Sequence, residues 1–360
     1  EITSIIEESA KQMKSCNAPT KFGVKVLKQD GTEGERQLLF KRDPGVLKQQ
    51  LVADTVGHMV DLLFADAALC KHLESLGLDV ATFHLGQHRI QTLCPGAAIL
   101  EIVERATTLA DMESTVVEYF WRCASADRPR LAPAFGASCA CWYAMSFILG
   151  LGDRHADNVM ISQDGVLFHI DFDMIMGSDT PLYQIVGSCK GPGRVDFSDI
   201  QKVVGSGEVQ RTFYETVTLA WNALRHEAHF LVDQLALAAE LEDGRQGVSA
   251  ASFSGSYADE GGMGTTMSAS DHFYCKARAF VEDRCMPGVH DEKAAKVIES
   301  IARSSAGGTS QVVNRVGDTL HGLRKNQVLQ RVLTDATAAV ASGLEGGFQV
   351  AGSYVGKACD

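Results

Sequence analysis

Leu149-Gly150-Leu151-Gly152-Asp153-Arg154-His155-Ala156-Asp157-Asn158-Val159-Met160-Ile161-Ser162-Gln163-Asp164-Gly165-Val166-Leu167-Phe168-His169-Ile170-Asp171-Phe172-Asp173 is the stretch whose reading decides the fold. An apolar segment over 134–150 leads into it and predicts a buried helix that ends at Gly150-Leu151-Gly152. Two short apolar runs, 159–162 and 166–170, flank Gln163-Asp164-Gly165 and predict a hairpin. The hairpin returns the chain, so Asp171 is expected close to Asn158, with Asp153 and His155 beside them.

Two oxygen donors brought together in this way suit Mg²⁺, which takes one or two side-chain oxygens and fills the rest of its shell with phosphate and water. An acid or base beside the metal is what a hydroxyl attacking a phosphate needs. The Asp153-to-Asn158 interval has the Asp-x-x-x-x-Asn spacing of a kinase catalytic loop. An isolated Asp-Arg-His is generally an ordinary surface loop. The joint pattern of apolar helix, Gly-Asp-Arg-His, spaced Asn, hairpin and Asp-Phe is what carries the chemistry.

Outward from this stretch, the first third reads as β-rich. Phe22 to Lys28 and Gln37 to Lys41 form two antiparallel strands around Gln29-Asp30-Gly31. Val46, Leu47, Leu51, Val52, Val56, Met59, Val60 and Leu63 have helical spacing over 46–64. A short strand pair is expected to end in the run 97–103. The rest is mostly helical. An amphipathic stretch covers 210–241, a Gly- and Ser-rich loop 243–270, and helices 272–325. A small β-rich part followed by a larger helical part suits a ligand held in the cleft between them.

Composition narrows the function classes. The 360 residues are 45% hydrophobic and carry a net charge of −12. That charge argues against nucleic acid as the main partner. No apolar run of about 20 residues is evident. Ten cysteines without a CxxC pair argue against zinc ribbons and thioredoxin chemistry, and Cys139 and Cys141 read as small core residues in a reducing compartment. The chain opens Glu1-Ile2-Thr3 without Met or a leader, so a piece of a longer protein is expected.

Residues 138–172 resemble the catalytic and metal-binding segment of the phosphatidylinositol 3-/4-kinase superfamily, with its Gly-Asp-Arg-His-x-x-Asn and following Asp-Phe. Phe135 to Ala140 and Phe147 to Gly150 resemble the 3-kinase branch in particular. The resemblance extends more weakly to Lys14-Ser15-Cys16-Asn17-Ala18-Pro19, similar to the family's phosphate-binding loop between its first strands. Leu39-Phe40-Lys41 is similar to the strand bearing the ATP lysine, and Ile99 to Val103 to the hinge. Trp221 to Arg225 and Asp291 to Ala295 are similar to late helices.

The resemblance implies an α+β, bilobal protein-kinase-like fold. Residues 1–103 would form the ATP-binding lobe, 104–325 the catalytic lobe and 326–360 a tail. It implies ATP with Mg²⁺ or Mn²⁺ as cofactors. Lys41, Glu101, Val103 and Ser15 would hold the nucleotide, and Asn158 and Asp171 the metal. Asp153, His155 and Arg154 would serve the reacting hydroxyl. His169 would only buttress the site. The implied substrate is phosphatidylinositol at a membrane surface, met by apolar residues of 174–186. The implied location is cytoplasmic and peripheral to endomembranes, with room for a regulatory subunit or accessory domains.

Three departures stand out. Asp173 replaces the Gly of the family's Asp-Phe-Gly. Gln50 replaces an acid expected to fix Lys41, on an alignment with an insertion. From Asp171 to Gly193 the only cation is Lys190. A loop so poor in positive charge resembles the class III type acting on plain phosphatidylinositol, because extra headgroup phosphates need cations. Competing expectations are an impaired pseudokinase or scaffold, a phosphatidylinositol 4-kinase and a Ser/Thr protein kinase.

Overall fold

The computed structural model describes residues 1–13, 18–28, 30–123, 127–178, 195, 197–245 and 268–305. Five strands form one antiparallel sheet in the order β1-β2-β3-β5-β4. They are β1 (Ile2–Gln12), β2 (Thr20–Leu27), β3 (Glu33–Arg42), β4 (Ile90–Cys94) and β5 (Ala97–Glu101). The expected hairpin is β2–β3, in continuous register from Thr20 opposite Phe40 to Leu27 opposite Glu33. Strand β1 has no counterpart in the sequence reading. It is mostly exposed, so its face gives little apolar alternation to recognise.

Helix α1 (Val46–Ala65) matches the expected 46–64 helix and packs against β4 and α2 (Ala67–Ser75). Asp43-Pro44-Gly45 launches it: one Asp43 carboxylate oxygen accepts from the Gly45 N–H at 2.8 Å, and the Asp43 carbonyl from Val46 at 3.2 Å. A second sheet, β6-β7-β8, follows, with β6 (Ala106–Thr108), β7 (Val159–Ser162) and β8 (Leu167–His169). The β7–β8 pair is the expected hairpin. The three-residue β6 is too short to show a pattern.

Between α3 (Val116–Arg122) and this hairpin runs α4 (Arg128–Leu149), in which every residue from Ala134 to Ser146 is buried. It begins earlier than the apolar run because Pro129 suits a first helical turn. Length and composition would let α4 cross a membrane, which corrects the reading that no run was long enough. Its 83% buried window makes it the core helix here. The buried Ser138 hydroxyl ties α4 to the hairpin, accepting from the Leu167 N–H and donating to the Phe135 carbonyl, both at 3.0 Å. Burial pushes the Cys139 thiol up and that of Cys141 up to about 12, as core cysteines require.

Around α4 stand α5 (Phe197–Val204), a π-type turn over Gln210–Glu215, α6 (Thr216–Arg225), α7 (Ala228–Arg245), α8 (Ala269–Cys285) and α9 (Asp291–Ser305). The single helix expected over 210–241 is broken at His226-Glu227. Its halves serve different neighbours, α6 packing on α4 and α9, and α7 on α1 and α8. Residues 243–245 and 269–270 of the expected loop are helical, since α7 reaches Arg245 and Ser268 caps α8 through its hydroxyl. Residues 246–267, 306–325 and the tail 326–360 lie outside the described residues.

Arg225 closes the helical part. Its buried guanidinium donates to the carbonyls of Cys285, Met286 and Val289 and pairs with Asp291 at 2.9 Å. The two late motifs singled out in the sequence thus meet at one residue. Arg225→Met strands three carbonyls, and the expected loss is about 2–4 kcal/mol of unfolding free energy by urea denaturation. Arg225→Lys restores only part, because an ammonium cannot span the fork. Equal stability of all three proteins would contradict this role.

Candidate active site

The segment 149–152 runs beside the segment after Asp171. Gly152 N–H donates to Met174 O at 2.9 Å, and Met176 N–H to Leu149 O at 2.8 Å. A Cβ on Gly152 would stand 2.1 Å from the Ser178 carbonyl oxygen, so the first residue of Gly152-Asp153-Arg154-His155 has no room for a side chain. Asp153 and Asp171 both adopt left-handed backbone, at φ +48° and +64°. Aspartate tolerates this region better than most residues, and such strain is characteristically held at functional positions.

The hairpin brings the expected donors together. Val159 faces His169, and the Ile170 N–H donates to the Asn158 carbonyl at 3.0 Å, which sets Asp171 beside Asn158. The Asn158 amide nitrogen is tied to the Asp153 carbonyl at 2.9 Å, which leaves its oxygen as the end for a cation. Asp171 Oδ2 lies 3.9 Å from Lys41 Nζ, and Asp171 Oδ1 is buried without a hydrogen-bond partner. Burial raises the Asp171 pKa, with Asp173 and Asp43 adding to the rise and Lys41 opposing it. An orphaned, charge-crowded carboxylate oxygen, on a residue that the hairpin sets next to Asn158, fits Mg²⁺ or Mn²⁺. Among the described residues no cluster of three His, Cys, Asp or Glu offers a closed metal cage.

Lys41, the residue before the last of β3, is almost buried, its side chain 11% exposed. Its ammonium is 3.1 Å from Gln49 Oε1 and 3.2 Å from Asp43 Oδ2, and Gln49 Nε2 donates to that same Asp43 oxygen at 3.2 Å. The expectation about Gln50 is thereby corrected. Gln50 faces away and accepts from the Thr92 N–H at 2.8 Å; Gln49 is the residue on the lysine face of α1. The carboxylate missing from the helix is supplied by Asp43. Burial works against its charge, but the Gly45 N–H and Lys41 outweigh it and hold its pKa below the usual value.

His155 is buried, with Nε2 3.8 Å from Asp153 Oδ2 and Nδ1 3.6 Å from Asp157 Oδ2. Arg154 is half-buried in the same loop. Glu101 closes β5, and its N–H is already given to the Arg89 carbonyl at 2.8 Å, so only its carbonyl remains to offer a ligand. Val103 packs against the core just beyond. Ser15 lies outside the described residues. The ends of its loop are fixed: Gln12 pairs with Thr20, and Met13 N–H donates to Pro19 O at 2.8 Å, so residues 13–19 join β1 to β2. His169 packs against Trp142, as a buttress should. Ile175 is buried and Met176 packs on the core, so these two do not form the expected membrane-facing surface. Residues 179–194 lie outside the described residues.

Sequence reasoning missed Asp43, Lys48, Gln49 and His88. Asp43 reads as part of a turn, and only its position two residues after Lys41 hints at more. His88 is 7% exposed and stacks on Phe172 at 5.2 Å, while Phe172 stacks on Trp142 at 6.3 Å. A lone histidine in an irregular segment gave no signal.

Residues 76–242 match the family described as phosphatidylinositol 3- and 4-kinase. The match holds the 149–173 stretch but not Lys41. The chain is 28% identical over 187 residues to the phosphatidylinositol 3-kinase nodule isoform of Glycine max, covering 49% of this chain and 21% of that protein. It is 26% identical over 244 residues to the root isoform, covering 64% and 27%. It is 30% identical over 194 residues to phosphatidylinositol 3-kinase pik3 of Schizosaccharomyces pombe, covering 51% and 22%. The aligned part is thus about a quarter of the length of these relatives or less.

His88 gives the site an acid-side signature. Burial first, then Lys41, lowers its pKa to about 4. The unfolded chain binds this proton near pH 6.5, so the stability contribution is present above that pH and is lost as pH falls towards 4. Between pH 7 and 5 the expected contribution to the loss is about 2 kcal/mol, and His88→Phe removes it. Urea midpoints of the two proteins at both pH values measure the difference; parallel losses would contradict it.

Proposed function

We propose, from the premise that residues 76–242 belong to the phosphatidylinositol 3- and 4-kinase family, that the chain is the catalytic part of a lipid kinase transferring the ATP γ-phosphate to the 3-hydroxyl of phosphatidylinositol. The observation that carries this is the meeting of Lys41, Asp171 and Asn158, drawn from β3 and from both strands' ends of the β7–β8 hairpin. In this reading residues 1–103 are the ATP-binding lobe and 104–325 the catalytic lobe, in a bilobal kinase-like layout. The protein would work in the cytoplasm at endomembrane surfaces.

Asn158 and Asp171 would hold Mg²⁺ or Mn²⁺. When bound, the metal supplies charge neutralisation for the phosphates and a fixed orientation for the transferred group. Lys41, kept extended by Asp43 and Gln49, offers a cation to the α- or β-phosphate. The Glu101 carbonyl and Val103 would meet the adenine edge. Of Asp153 and His155, one would accept the inositol hydroxyl's proton and the other orient that hydroxyl, with Asp157 beside the imidazole's other nitrogen. Arg154 flanks them. These groups are fixed before substrate arrives, which is how preorganised charge lowers a barrier.

The binding-only alternative draws on Asp173 and on the missing helix carboxylate. Asp43 weakens the second argument, because Lys41 keeps a carboxylate partner at 3.2 Å. The test is transfer from labelled ATP to phosphatidylinositol vesicles with Mg²⁺, the product separated by the hydroxyl modified. The expected result is a 3-phosphate, reduced about 100-fold or more in Asp171→Asn, the cost of losing metal-borne charge stabilisation. A 4-phosphate would overturn the position. No phosphorylated lipid from a folded protein would overturn the activity.

A further inference from the structure

Lys48 is a buried lysine that the reaction as described does not use. It lies on α1 next to Gln49, the helix residue that meets Lys41, with its side chain 6% exposed. Its ammonium pairs with Glu242 Oε2 of α7 at 2.7 Å, donates to the Asp173 carbonyl, and stands 3.9 Å from Asp173 Oδ1. One side chain thus joins α1, the turn that carries Asp171, and α7. A lysine removed from water is costly unless several acceptors meet it, and here two carboxylates and a carbonyl do.

The second carboxylate of the turn creates the problem that Lys48 answers. Asp173 is two residues from Asp171, where an added negative charge could draw a metal to the wrong oxygen or repel phosphate. Phe172 between them is pinned under His88 and Trp142, so the turn can present Asp171 to one side and Asp173 to the other. Lys41 reaches the first and Lys48 the second.

We propose that Lys48 is a positioning residue for the phosphate-transfer site: it holds Asp173 by carbonyl and carboxylate, turns that charge away from the metal, and so fixes Asp171. Glu242 supplies the balancing charge and anchors the arrangement to α7. Asp173 is then an anchor and not a metal ligand. This rests on the lipid kinase reading for its readout.

The test uses the full chain as wild type, Lys48→Met, Asp173→Asn and the double variant. Turnover is measured against Mg²⁺ concentration. Lys48→Met is expected to raise the Mg²⁺ needed for half-maximal turnover about 10-fold, and Asp173→Asn in the same chain to return it to within about 3-fold of wild type. An unchanged Mg²⁺ dependence in Lys48→Met, or a double variant as impaired as the single, would overturn the proposal. A merely structural role would lower stability without this rescue. Where the Met variant does not fold, Lys48→Gln, which removes the charge that meets the Asp173 carboxylate, carries the same expectation. A wild type without turnover would count against the kinase reading alone. The proposal is then read from Mn²⁺·ATP binding by the same four proteins: a 10-fold loss with rescue supports it, and equal binding in all four overturns it.

Discussion

Lys41 between two carboxylates is the interaction on which the rest of the site depends. It draws Asp43 from the end of its own strand and Asp171 from the far end of the hairpin, at 3.2 and 3.9 Å. Each partner has a different role. Asp43 is bound by the Gly45 N–H and by Gln49, so it fixes the lysine. Asp171 keeps one oxygen without a hydrogen-bond partner, so it remains available to a cation. A lysine in low dielectric between a hydrogen-bonded carboxylate and one with an unpartnered oxygen places positive charge beside an acceptor that can still take a cation.

The packing explains how so polar a cluster is held. Helix α4 supplies Trp142 beneath Phe172 and Ser138 beneath β8, so the floor of the site is the molecule's own core. Left-handed backbone at Asp153 and Asp171 is affordable because flanking residues over-determine it: Asn158 binds the Asp153 carbonyl, and Lys48 binds the Asp173 carbonyl. Departures from the family pattern then appear as linked changes. Asp43 gives Lys41 a carboxylate where α1 offers only the Gln49 amide, and Lys48 meets the extra carboxylate of Asp173.

Much of this was legible in the sequence where periodicity and turn chemistry agree. The β2–β3 and β7–β8 hairpins, α1 and α4 follow from alternation, helical spacing and Gly-bearing turns. Asn158 and Asp171 meet because a hairpin of readable length lies between them. What escaped had no local signal. Strand β1 is exposed on both faces and β6 is three residues long. The break at His226-Glu227 is imposed by tertiary partners. Gln49 meets Lys41 and Gln50 does not, because one residue along a helix is about a quarter-turn and the two side chains face different ways. Lys48 and His88 became site residues only through contacts distant in sequence.

The most direct test of the account is to count protein-bound Mn²⁺ by electron paramagnetic resonance, with and without ATP, in wild type and Asp171→Asn. The account predicts tightly bound Mn²⁺ that appears only with ATP and disappears in the variant, since the protein supplies two ligands and the nucleotide the others. Binding that ignores ATP, or that survives loss of the Asp171 carboxylate, would contradict a phosphate-transfer site at this turn.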